Sequence, residues 1–556
     1  MLLRPLGFAA ALFGLAALSG APLFAQAQAP TPPPAETPEN SFGEEIQVNV
    51  VNLDVFVSDK QGKPVEGLKA GDFTVLEDGK PVKVTNFYTE KREPAKAEAA
   101  AEGGKAPAER PLDQRLRLVI FVDDVNIQPD TRGTILDRVG PFLRRELQPG
   151  DEVMLVRYTG KLEIRRSFTS DVGQIEADIA VLRGQSSDMR KYEESLESAF
   201  DDIVDAIYTS FDFVLVEQRV RAWAEQESAV VRGAVSGLDG VVGWLAGVPG
   251  RKAILYVSDG LPLRPGEDIF QWAAAYSRFG AGRISPLNAT SLDLSKRFRE
   301  VTAHASRNRI TIYPIEAYGT RVERGTQLQE YLVSNRQDGL RFLAQDTGGQ
   351  AMLNAADPAA ALRRMGDDLT TFYSLGYTPN RPGDDAEHKV EVKVKDKGLH
   401  VRHRQWYRDK PVGETVAERT LAVMRFGPED NPLGASLEIQ PAKEQNGASL
   451  VPVRVTVPVA KLFLQPKEKG RAGRLRLYVV ASTGGMTTPV KETKVVTVEL
   501  PEAEAAAGSK REYVHDVGIP LQAGSWSIGV AVRDELAATT SYLRKDFVVP
   551  AGQKGK

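Results

Sequence analysis

Cysteine is missing altogether from the 556 residues. Its absence excludes disulfides, thiol catalysis, thiolate zinc sites, iron–sulfur clusters and a lipidated N-terminal cysteine. Histidine is scarce, at 5 residues. The chain also has no Gly-x-Ser-x-Gly nucleophile elbow and no Gly-x-x-x-x-Gly-Lys phosphate loop. An excess of one charge is lacking too, since 71 Lys+Arg stand against 74 Asp+Glu for a net charge of −3. That balance argues against a general nucleic-acid binder. Beyond the N-terminus no apolar run reaches the roughly 20 residues of a membrane span. What is present is globular: 42% hydrophobic and 26% charged residues, in a chain too long for one core, which rarely serves more than about 250–300 residues.

Residues 1–27 read as a secretory signal. Arg4 gives the positive start, Leu6 to Leu18 the apolar stretch, and Ala25-Gln26-Ala27 the small-x-small cleavage pattern. Pro22 cuts the apolar run short of a membrane anchor. The mature protein is therefore expected to be exported, to the periplasm or the extracellular surface, with no integral membrane segment after signal cleavage. Residues 28–44 form a Pro-rich linker, and 45–92 a β-sheet segment in which apolar residues alternate from Ile46 to Val57. Glu77-Asp78-Gly79 supplies hairpin chemistry. Residues 93–113 are a low-complexity linker.

After it the period changes. Leu116–Val122, Glu152–Tyr158, Ala253–Val257 and Ile310–Ile315 are near-continuous apolar runs, as parallel strands covered on both faces require. Helical patterns separate them, at Thr131–Leu147, Gln174–Arg183, Met189–Gly247 and Leu294–Arg307. Such alternation indicates a doubly wound α/β domain with a mainly parallel sheet, over 114–380. Within the long helical region, Glu193, Glu197, Asp201 and Asp205 recur at spacing four. They read as the solvated side of an amphipathic helix rather than a cation-binding stripe. Phe372–Tyr377, His388–Val394 and Val401–Tyr407 return to strand patterns. The last two flank Asp396-Lys397-Gly398 as a hairpin, and 386–408 is expected to complete the β-domain begun at 45–92, with the α/β domain inserted between. Residues 409–447 read as a polar connector, and 448–550 as a C-terminal β-sandwich of immunoglobulin-like type.

Ligands of open α/β sheets bind at the carboxyl ends of the strands. Two acidic strand ends feed loops there, Asp123-Asp124-Val125-Asn126-Ile127-Gln128 and Ser258-Asp259-Gly260, and oxygen ligands of this kind suit a hard divalent cation. His400 and His403 are separated by an odd number on a strand, which sends them to opposite faces. His304 stands alone on a helical pattern.

The residues Leu-Val-Ile-Phe-Val-Asp-Asp-Val-Asn at 118–126 and Gly250-Arg251-Lys252 leading into Tyr256-Val257-Ser258-Asp259-Gly260 resemble the von Willebrand factor A family. More closely, they resemble the related proteins first described in acidobacteria. Ile310–Ile315, Thr347-Gly348-Gly349 and Phe372–Pro379 match as well, so the resemblance covers about residues 45–407. It implies an exported domain that binds protein partners and is not an enzyme. The family's metal-ion-dependent adhesion site uses Asp-x-Ser-x-Ser, a Thr and a further Asp. Carried over, the first motif falls on Asp124, Asn126 and Gln128, the Thr on Ser187, and the last Asp on Asp259. Both serines are replaced, but Asn and Gln carbonyls can ligate Mg2+ or Ca2+. Such a degenerate site would leave coordination open for an acidic side chain of a partner protein. The rival readings are a metal-dependent hydrolase built on Asp123, Asp124 and Asp259, and a structural envelope component that has lost ligand binding.

Overall fold

The computed structural model describes residues 50–91, 110–185, 189–206, 213–277, 291–316, 327–381 and, short gaps aside, 384–550. The expected signal, the 28–44 linker, most of the 93–113 linker and Ser187 lie outside these residues. Among the described residues, no helix is long and apolar enough to cross a membrane.

The first strands are β1 (Val51–Ser58), β2 (Phe73–Glu77), β3 (Lys80–Val82) and β4 (Val84–Lys91). Next come β5 (Leu116–Asp123), α1 (Pro129–Glu146), β6 (Glu152–Tyr158), β7 (Leu162–Thr169) and α2 (Val172–Arg183). Then follow α3 (Met189–Asp205), α4 (Phe213–Leu245), β8 (Arg251–Val257), α5 (Glu267–Ser277), α6 (Ser295–Arg307) and β9 (Ile310–Ile315). The α/β part closes with α7 (Gln327–Thr347) and α8 (Pro358–Thr370). Its sheet runs β7-β6-β5-β8-β9, parallel except for β7, which returns antiparallel beside β6.

Every residue of β5 is buried, because helices cover both faces. Leu118, Ile120 and Val122 join Ile135 and Leu136 of α1, Ile175 of α2 and Leu362 of α8 in one core. Val119 and Phe121 join Val235 of α4, Phe298 of α6 and Leu340 of α7 in the other. The two-residue period of a strand thus divides one apolar run between two cores. This is the doubly wound arrangement expected.

The chain then returns through β10 (Thr371–Tyr377), β11 (Glu387–Val394), β12 (His400–His403) and β13 (Trp406–Arg408). β10 enters between β1 and β4 to give the sheet β12-β1-β10-β4, and β11 joins β2 in the sheet β13-β11-β2-β3. Leu53, Val55, Phe73, Val75, Tyr373, Leu375, Val390 and Tyr407 fill the space between the sheets. The α/β part is therefore inserted in a two-sheet β-domain, and 371–377, read as part of the α/β domain, belongs to the β-domain as β10. The hairpin forms only at its base. Residues 406–408 pair antiparallel with β11, but 400–403 leave it to pair with β1, since Arg404 breaks the run to donate to the Ser306 and Asn52 carbonyls.

Met189–Gly247 carries the helices α3 and α4. Its Asp201 and Asp205 are exposed while Ile203 is buried, which is the solvated-face pattern. Residues 409–447 are more than a connector, because they carry α9 (Val412–Phe426) and two strands, Ser436–Ile439 and Lys443–Gln445. The rest of the C-terminal part makes antiparallel sheets, whose Val453, Val455, Leu477, Val517, Ile528 and Val530 share one core. On one side α9 lays Val416 and Val423 on Tyr478, Ala531 and Tyr542 of that part, and on the other it gives Ala422 and Phe426 to the α/β core.

Candidate functional site

The order of the strands reverses between β5 and β8, so their carboxyl ends bracket the crevice where ligands of open sheets bind. The loops from the two ends are joined by backbone: the Asp259 N–H donates to the Asn126 carbonyl at 2.8 Å. Pro129, at the first position of α1, presets the helical φ. The capping residue, Gln128, gives no side-chain cap to its own helix. The cap comes from Asp259 across the crevice, whose Oδ2 accepts the Gln128 N–H and the Thr131 hydroxyl, each at 2.7 Å. A carboxylate there also meets the positive end of the helix dipole. Gly260 follows with φ +131°, and a Cβ at that position would stand 2.6 Å from Cβ of Arg336, so only glycine fits this turn.

Asp123 is fully buried at the end of β5. It accepts from the Tyr256 hydroxyl at 2.5 Å and from the Asn126 amide at 2.9 Å. Burial pushes its carboxyl up to about 6 against those two hydrogen bonds. Burial likewise raises Asp259 to about 7, opposed by the Gln128 N–H and Thr131. Each of these two acids keeps one buried oxygen without a hydrogen-bond partner among the described residues.

Asp124 turns the other way. Its Oδ1 takes Arg132 at 2.6 Å and its Oδ2 takes Nε of Arg157. The same two guanidiniums reach on to Gln185, Arg132 to its carbonyl and Arg157 to its side-chain oxygen at 2.7 Å. Arg132 has no exposed surface, so its charge requires this carboxylate.

Of the residues expected to ligate a cation, the structure brings Asn126, Gln128 and Asp259 together through backbone and capping bonds. Asp124 is diverted to the arginines. The two orphaned oxygens on Asp123 and Asp259 are the only feature here that favours a cation. Two guanidiniums on Asp124 oppose it, and among the described residues no group of three or more His, Asp or Glu side chains is placed to hold one. Of the expected donors, Asp124 has both oxygens taken by the two arginines, and Ser187 lies outside the described residues. Thr131, Arg132, Arg157, Gln185 and Tyr256 were not foreseen. The available signal was the Asp-Asp doublet itself, because adjacent residues leaving a strand point apart.

The histidines stay outside the site. His304 meets Asp239 at 2.8 Å. His400 is exposed, whereas Nε2 of His403 accepts the Val392 N–H and its Nδ1 faces the Arg404 carbonyl.

No protein-family model matches the chain, and no curated protein matches it. Among solved structures, an aerotolerance-related membrane protein from Bacteroides fragilis aligns at 10% identity, over 46% of this chain and 98% of that one, with a TM-score of 0.22. The manganese-loaded TRAP protein of Plasmodium vivax aligns at 9% identity, over 58% of this chain and 98% of that one, with a TM-score of 0.23.

Proposed function

We propose that this is an exported, von Willebrand factor A-like protein whose strand-end face binds a partner protein without turnover. The observation that carries this is the crevice itself. The loops after β5 and β8 are fixed to each other at the switch point of the sheet, by the Asp259–Asn126 backbone bond and the Asp259 cap on α1. This gives a rigid floor on which the surrounding loops can present a recognition surface. The absence from the sequence of nucleophile-elbow and phosphate-loop motifs supports a binding role over hydrolysis. Export rests on residues 1–27, and an immunoglobulin-like C-terminal part would extend the same binding role. The proposed recognition does not use a cation, since Arg132 and Arg157 already neutralise Asp124.

The test is site-specific photo-cross-linking in the native host. A photoreactive residue at Asp130 or Arg264, both exposed beside the crevice, is expected to capture one protein. The same residue at Lys60, exposed on the β-domain, is expected to capture none. Adducts should survive a chelator. Equal capture at Lys60, or none at the crevice, would overturn the binding reading. Loss of adducts on chelation would restore the cation, through the free oxygens of Asp123 and Asp259.

A further inference from the structure

Far from the crevice, α6 and the entry to α9 meet through side chains of three different chemistries. Asn308 caps the carboxyl end of α6 and is almost wholly buried. Its own helix holds it, the side-chain nitrogen donating to the His304 carbonyl at 2.9 Å and the backbone N–H to the Ala305 carbonyl at 3.0 Å. Lys410 arrives 102 residues further along the chain, just before Pro411 caps α9. Its Nζ lies 2.7 Å from Oδ1 of Asn308. The same Nζ lies 2.6 and 2.7 Å from the two carboxylate oxygens of Glu418, in the second turn of α9.

An amine, a carboxamide and a carboxylate in mutual reach are the full set for an amide exchange. They supply a nucleophile, an electrophile with ammonia as its leaving group, and a proton carrier. The site is sheltered, with the Lys410 side chain 10% exposed and that of Glu418 23%. On one side α9 is pressed on the end of α4, so that a Cβ on Gly247 would stand 2.1 Å from the Glu418 carbonyl oxygen. The neighbouring amine, Lys252, is spent on the Val248 carbonyl, and Lys410 is the amine that reaches Asn308. Groups held in contact by the fold react without the entropy cost of an encounter.

We propose that Lys410 and Asn308 join in an intramolecular isopeptide bond, with Glu418 carrying the protons. Glu418 takes a proton from the Lys410 ammonium, and the freed electron pair of Nζ attacks Cγ of Asn308 to form the Nζ–Cγ bond. Nζ then gives up a second proton, and both protons pass through Glu418 to Nδ2 as the Cγ–Nδ2 bond breaks. Ammonium leaves, Glu418 is again a carboxylate, and nothing is oxidised or reduced. The new amide clamps the end of α6 to the entry of α9. It closes the chain over 308–410 covalently, in a molecule without a cysteine for a disulfide.

The test is mass spectrometry of the full chain, intact and after proteolysis. The wild type is expected to be lighter by one ammonia than the sequence of the purified chain. Its digest is expected to contain a branched peptide joining Lys410 to Asn308. Glu418→Gln keeps a hydrogen-bonding side chain in place and is expected to retain the ammonia and give separate peptides. Lys410→Arg, which keeps the charge, should do the same and serves if Glu418→Gln fails to fold. A wild type of full mass with separate peptides would leave an ion pair only and overturn the bond. Loss of ammonia without the branched peptide, as from cyclisation of an asparagine, would overturn it too. A branched peptide formed equally in Glu418→Gln would overturn the role given to Glu418.

Discussion

At the scale of single residues, the Asp124 position decides the chemistry of the crevice. An aspartate after a buried strand and close to a helix start suits a cation or a cap equally well on paper. Arg132, in the first turn of α1, and Arg157, near the end of β6, convert it into an internal ion-pair hub with Gln185. Asp124→Asn is therefore expected to leave a fully buried guanidinium without its counter-charge, at a cost of about 3–5 kcal/mol. The urea midpoint at neutral pH reads this. A change under about 1 kcal/mol would mean that the pair is not closed in solution. Sequence reasoning could name the two acidic strand ends because apolar runs ending in Asp are visible in one dimension. It could not tell Asp123 from Asp124 as the acid aimed into the crevice, since that depends on how the chain turns after β5. Nor could it see that Asp259 caps a helix 128 residues before it in the chain, because that contact is tertiary.

At the scale of elements, the same limit separates what was legible from what was not. The buried strands β5, β6, β8 and β9 could be read because each is covered on both faces and therefore apolar along its middle, with charged residues near the ends of β5, β6 and β8. The strand β7 could not, because an edge strand with Arg165 and Arg166 reads as polar. α9 was hidden for a different reason: its two apolar stripes face two different parts of the molecule, so no single face dominates its sequence. Its seating depends on glycines opposite. A Cβ on Gly247, just after α4, would run into the Glu418 carbonyl, and one on Gly529 would stand 2.7 Å from Cγ of Met424. Gly247→Ala is expected to force α9 off α4 and destabilise the fold by about 1–3 kcal/mol. Scanning calorimetry should then show an early transition of the C-terminal part before the main one. A single unshifted transition would show that α9 is not the coupling element.

At the scale of the whole molecule, the parts meet around Lys252 at the start of β8. Its ammonium donates to the Val248 carbonyl at 2.9 Å. Burial first, and then Arg309 and Lys410, bring it down to about 7 from the ordinary lysine value. Here the unfolded chain holds a proton that the fold does not, so stability rises with pH above about 7 and stays at its lower value below it. Lys252→Met is expected to raise the melting temperature most at about pH 6 and least at about pH 10. A gain of equal size at both ends would show that packing rather than charge is responsible.

The insertion of the α/β part has a mechanical consequence. Lys91, the last residue of β4, lies directly across the sheet from Thr371, the first of β10, one strand spacing or roughly 4.8 Å apart. The two ends of everything between them are thus pinned together by the ladder of β4 and β10. Tension drawn along the chain from its outer segments loads that ladder at its other end, where Val84 faces Tyr377, and must peel it apart pair by pair before it stretches the inserted part. A protein anchored at one end and pulled at the other would keep its crevice unstrained until the β-domain gives way.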